Sequence, residues 1–128
     1  MIESSPELER FLRGEVDNTT FAHREHVRIG FELLRRCDFA ETVYRFSTTL
    51  RGMAARAGRP EAFHQTITIA FLSLIAERMD CQPYADFESF ALCNEDLLDK
   101  SALLRLYPSA RLSSEAARRT FLLPVPAR

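Results

Sequence analysis

Lysine is almost missing from this 128-residue chain: Lys100 is the only one, so nearly all of its 17 basic side chains are arginine. Arginine suits planar recognition of carboxylates and phosphates, and a GC-rich genome produces the same bias. Glycine is scarce too, with four residues and no Gly-rich phosphate loop or G-x-S-x-G elbow among them, so nucleotide cradles and serine-hydrolase turns are excluded. Cysteine is limited to Cys37, Cys81 and Cys93. An odd number with no C-x-x-C excludes a disulfide framework and predicts buried free thiols in a reducing cytosol. The longest apolar run, ITIAFLSLIA, falls well short of the ~18 residues a membrane span needs. The opening MIESSPELER has no basic-then-apolar signal pattern, so the expected location is cytoplasmic. With 17 basic and 18 acidic residues the net charge is −1, and no basic stripe interleaved with aromatics points to nucleic acid.

What is present is helical periodicity. The length suits one domain over residues 1–128, and no repeat or internal linker divides it. SSPELERFLRG reads as a short helix with Ser5 as N-cap, Pro6 in the first turn and Gly14 past the end. Asn18, Thr19 or Thr20 caps a second helix near residues 20–36, striped by Val27, Phe31 and Leu34. A third, at 39–57, opens on a capping-box pattern of Asp38 and Glu41 and carries Phe39, Val43, Phe46, Leu50, Met53 and Ala57 at helical spacing. Gly58 ends it, and Pro60 starts a fourth helix over 60–79, apolar on most faces and therefore central. Beyond Pro83 lies a fifth segment with a break expected at Asn94, which either caps or faces inward. A last short helix in SSEAARRT precedes an extended tail pinned by Phe121, Leu122 and Leu123. The predicted fold is all-α, an antiparallel bundle of about four main helices with short accessory helices at both termini.

Only three histidines occur: His23 and His26 in FAHREHV, and His64 in FHQTIT. Tight connections make successive helices antiparallel, so the second and fourth run parallel and begin at the same end of the bundle. Residues three apart share a helix face, so His23 and His26 project together, and His64 shares a side with Thr68, Phe71 and Ile75. Three converging imidazoles are a candidate divalent-metal site, for zinc, iron or nickel, with water or a small substrate completing the shell. Burial and the positive helix N-terminus both favour the neutral ring that binds metal or accepts a proton. Glu25 is a candidate base, although its position points it sideways. Thr66 and Thr68 either donate to a ligand or back-bond their own helix.

The same end of the bundle supports two other readings. Arg24, Arg56 and Arg59, together with Tyr107, Ser109, Arg111 and Ser113 of YPSARLSS, would line a mouth for an anionic small molecule. A helical interaction or homodimerisation domain without chemistry is the third reading. Neither a nucleic-acid nor a membrane partner is expected.

The segments F-x-H-x-x-H at Phe21–His26, H-x-T-x-T at His64–Thr68 and L-x-S-x-x-A-R at Leu112–Arg118 resemble an uncharacterised bacterial family of small helical proteins, over roughly residues 20 to 123. The resemblance implies a shared site at His23, His26 and His64 with Thr66, Thr68 and Arg111, and implies no particular activity. A looser similarity is to three-histidine metal-binding bundles of the DinB kind. Those carry an H-x-x-x-H pair late in the chain, whereas here an H-x-x-H pair comes first, so the likeness is one of analogy.

Overall fold

The computed structural model describes residues 5–17 and 21–124, and they are all-α. Helix α1 spans Pro6–Leu12. Its N-cap Ser5 accepts from the Leu8 amide, and Leu8 and Phe11 are buried, as their spacing requires. Gly14 then adopts φ 70°. The Gly14 and Glu15 amides donate to the carbonyls of Phe11 and Arg10, the paired bonds of a Schellman stop.

Helix α2 covers His23–Leu34, beginning later than the sequence suggests. The candidate caps at positions 18, 19 and 20 lie outside the described residues; the N-cap is Ala22, whose side chain has no oxygen to offer. Helix α3, Phe39–Arg56, is capped by Asp38, which accepts from the Glu41 amide at 2.8 Å. The expected capping box is only half made, because the Glu41 carboxylate instead pairs with Arg45 at 3.0 Å. Phe46 and Met53 are buried, but Phe39 at the helix start is exposed. Gly58, with φ 75°, stops α3 by a second Schellman pair, in which the Gly58 and Arg59 amides bond to Ala55 and Ala54.

Pro60 does not start the next α-helix. It opens a 3-10 turn, Pro60–Ala62, after which the chain extends through Phe63 and His64. Helix α4 then spans Gln65–Cys81. Its TITI segment is helical despite three β-branched residues, because burial on several sides outweighs a weak local preference. The helix packs against α2, α3 and the short α7, Glu115–Arg119.

The last of the main helices is short, broken where expected. Helix α5, Phe87–Cys93, ends at Asn94 and is followed by 3-10 stretches at Glu95–Leu98 and Lys100–Arg105, then by α6, Ser109–Leu112. Asn94 both breaks the helix and faces inward. It donates to the Phe90 carbonyl and the Tyr84 hydroxyl and accepts from Arg78, so a buried amide is fully used. Arg78 and Arg105 both bond Asp96 and hold its carboxyl far below the usual carboxylate range.

The thiols are free, as expected, but not buried as a set. Cys81 and Cys93 are exposed because each ends a helix where the chain turns out to solvent, and Cys37 is half-buried. The tail is also held differently from its reading. Phe121 and Leu123 are exposed, and the segment is fixed through its backbone: Thr66 Oγ donates to the Thr120 carbonyl and accepts the Leu122 amide, while Tyr107 Oη donates to the Leu122 carbonyl.

Two apolar clusters make the core. One joins Val27 and Phe31 of α2 to Phe71 and Ile75 of α4 and to Phe90, Leu97 and Leu103. The other joins Leu8 and Phe11 to Ile29, Leu33, Phe46, Met53 and Leu72. Helices α2 and α4 form the wall between them. They meet at Gly30, where an added Cβ would stand 2.9 Å from Leu72 Cδ2 and 3.2 Å from Ile75 Cδ1. Gly30→Val should therefore destabilise the fold by about 2 kcal/mol through overpacking, despite the gain in helix propensity. Urea unfolding of the two proteins measures this, and equal midpoints would show that the helices are free to part.

Candidate functional site

His23, His26 and His64 line one cavity of about 290 Å³. It lies between the start of α2, the second half of α3 and the first half of α4. His64, Thr68, Phe71 and Ile75 share its α4 side, Phe46 and Leu50 its α3 side, and Lys100 its rim. Parallel α2 and α4 thus bring both histidine segments to one end, as chain direction predicts. Apart from the three imidazoles, Thr68 and Lys100, the lining is apolar.

The three rings are held in different ways. His64 is the N-cap of α4: its Nδ1 accepts the Ile67 amide at 3.1 Å. A carbonyl can only accept, so the 2.7 Å contact of His64 Nε2 with the Leu112 oxygen makes Nε2 the protonated nitrogen. Both nitrogens of this ring are therefore used within the protein. His23 Nε2 donates to the Leu97 carbonyl at 3.0 Å, which leaves Nδ1 as the bare nitrogen of the neutral ring. The His26 ring lines the cavity and makes no hydrogen bond among the described residues. It is fixed by packing, with Phe21 edge-on at 4.4 Å. Phe71 holds the His23 ring in the same manner at 4.6 Å.

Burial is the main cause of the acid–base character of the α2 pair. It lowers His26 to about 4, with the neighbouring His23 and Lys100 adding to the effect. His23 is also lowered by burial, partly opposed by its bond to the Leu97 carbonyl. Both rings are neutral near pH 7. The cation at the site is Lys100, which is exposed and forms no ion pair among the described residues. Nothing in the sequence other than its being the sole lysine marks it out, because it reaches the rim through the irregular 3-10 segment, which has no amphipathic stripe to read.

The other residues singled out in the sequence are placed elsewhere. Among them, Thr68 alone reaches the cavity, and its hydroxyl back-bonds the His64 carbonyl at 2.7 Å. Thr66, Tyr107 and Arg111 hold the carbonyls of Thr120, Leu122 and Leu123 respectively, and none of the three lines the cavity. YPSARLSS does arrive beside His64, through Leu112, but Tyr107, Arg111, Ser113 and Ser114 bind backbone carbonyls and none of its residues lines the cavity. Glu25 is turned to Arg28 at 3.5 Å. Arg56 donates to the Gly14 carbonyl, Arg59 lies by Glu61, and Arg24 bonds Glu88, so these arginines serve local contacts.

Among the described residues, no three His, Cys, Asp or Glu side chains stand as a group able to hold a metal ion. No helix there is long and apolar enough to cross a membrane. No known family, curated protein or solved structure matches the chain.

The lowered His26 has a consequence for stability. The folded ring titrates near 4 and the unfolded one near 6.5, so the unfolded chain takes up the proton first as pH falls. Stability is at its full value above about 6.5 and declines toward pH 4, with a slope of at most ~1.4 kcal/mol per pH unit from this group. The urea midpoint of the wild type should fall relative to that of His26→Phe as pH drops across this range. Parallel profiles would place the ring in water.

Proposed function

We propose that this protein binds a small, mainly apolar molecule carrying one anionic group, with no metal required. The observation that carries the reading is a cavity, apolar apart from three imidazoles and Thr68, whose rim holds a lysine with no ion pair among the described residues. Ligand sites are commonly concave and apolar with a few placed polar groups. At about 290 Å³ the space equals about ten water volumes, which suits a ligand of about ten non-hydrogen atoms. The apolar body would lie against Phe46, Phe71 and Ile75, and Lys100 would meet the anion as a point charge. A cytosolic setting suits three free thiols, two of them exposed. Octanoate has the right size and charge to probe the site. Calorimetry should show it binding at least tenfold tighter than octanol, with Lys100→Met removing that difference, about 1.4 kcal/mol. Absence of binding at millimolar octanoate would overturn the reading.

A second reading is favoured by the sharing of one cavity by all three imidazoles. His23, His26 and His64 would hold a divalent zinc, iron or nickel ion as the centre of a metal-dependent enzyme acting on a small molecule. For this, His64 must exchange its bonds to Ile67 and Leu112 for a metal bond, at the expense of the α4 cap. Untagged protein would then carry one equivalent of metal, lost in His23→Ala, His26→Ala and His64→Ala alike. Metal-free protein that takes up none of the three ions on titration would rule it out.

A further inference from the structure

The polar groups of the cavity say more about the ligand than its charge. The imidazole of His26 lines the cavity and offers one N–H donor and one bare nitrogen, neither of which has a hydrogen-bond partner among the described residues. His23 has its Nδ1 bare, because Nε2 is spent on the Leu97 carbonyl. The two ring centroids are 6.4 Å apart. Both rings line the same cavity, so one ligand can meet both. Around them the wall is Val27, Phe46, Phe71 and Leu72, which satisfy nothing. A purely hydrocarbon body would displace water from these nitrogens without replacing its bonds. The imidazoles therefore select for a group on the ligand that both donates and accepts.

Resting on the reading of the cavity as an anion-bearing ligand site, we infer that the ligand is a hydroxy-carboxylate, whose hydroxyl donates to the bare nitrogen of one imidazole and accepts from the His26 N–H. Lys100 lines the same cavity as both rings, so the hydroxyl belongs near the carboxylate, on C2 or C3. Neutral rings suit this role, since imidazolium would offer donors alone. A hydroxyl-reading site discriminates strongly because the analogue without the hydroxyl strands buried polar groups.

The test compares octanoate with 2-hydroxyoctanoate and 3-hydroxyoctanoate by calorimetry at pH 7. At least one hydroxylated acid should bind the wild type tenfold or more tightly than octanoate. His26→Phe should lose the preference whatever its affinity for octanoate, with its circular dichroism showing that the protein is folded. His26→Gln, which retains a donor and an acceptor, should recover part of it. Equal affinity for all three acids, or a preference that survives His26→Phe, would overturn the inference while leaving the anion-binding reading intact. Binding of none of them would overturn both.

Discussion

The close approach of α2 to α4 at Gly30 governs the rest of the molecule. With hydrogen in place of a side chain, Leu72 and Ile75 fit against the α2 backbone, and two parallel helices become one wall. Parallel neighbours need a full helix between them, and α3 supplies it, with compact turns at both of its ends. From this arrangement come both the division of the core into two clusters and the meeting of His23 and His26 with His64. The cavity opens where the wall meets the second half of α3. There the short side chain of Ala54 and the rings of Phe46 and Phe71 leave the space unfilled. Packing thus creates the site: the same contact that joins the helices at Gly30 sets how far apart their first turns stand.

Helical periodicity was a sound guide wherever the chain obeys one rule over several turns. The stops at Gly14 and Gly58, the caps at Ser5 and Asp38, and the buried stripes of α2 and α4 are all present as read. Departures occur where a local signal has two possible uses. Pro60 fits both a first α-turn and a 3-10 turn, and the sequence does not separate them. Asn94 carries signals for a break and for an inward amide, and does both. The stretch from Glu95 to Arg105 has leucines at mixed spacing and forms 3-10 turns, with alternate leucines in and out: Leu97 and Leu103 are buried while Leu104 is exposed. No single helical stripe describes such a segment, so Lys100 was not foreseeable at the rim.

For the site, position was legible and role was not. Chain direction alone places three histidines at one end, because it depends only on the number of reversals. The work each ring does depends on which carbonyls lie near it, and those come from residues 97 and 112, far along the chain. His64 is a cap and a clasp; His23 is anchored on one edge; His26 is left open. The threonines of the H-x-T-x-T segment divide similarly, with Thr68 turned to its own helix and Thr66 to the tail. A motif of polar residues near a cavity is therefore not a list of ligand contacts. Three of its members here hold backbone, as side chains at helix starts often do.

That holding of backbone bears on function through rigidity. The N-terminus of α4 forms one side of the cavity, and a helix start with four unbonded amides is where fraying begins. Here His64 takes the Ile67 amide and grips Leu112, Thr66 grips Thr120 and Leu122, and Arg118 reaches the Glu61 carbonyl from α7. The C-terminal segment thus binds the first turn of α4 through Thr66, outside the cavity, and through His64 at its edge, and leaves Ile67 and Phe71 free to line it. A wall braced in this way does not collapse into an unfilled space, and a ligand entering it spends little of its binding energy on ordering the protein. The unequal use of the three imidazoles follows from the same division of labour. The His64 ring belongs to the brace and is consumed by it, while the His26 ring has no hydrogen-bond partner among the described residues.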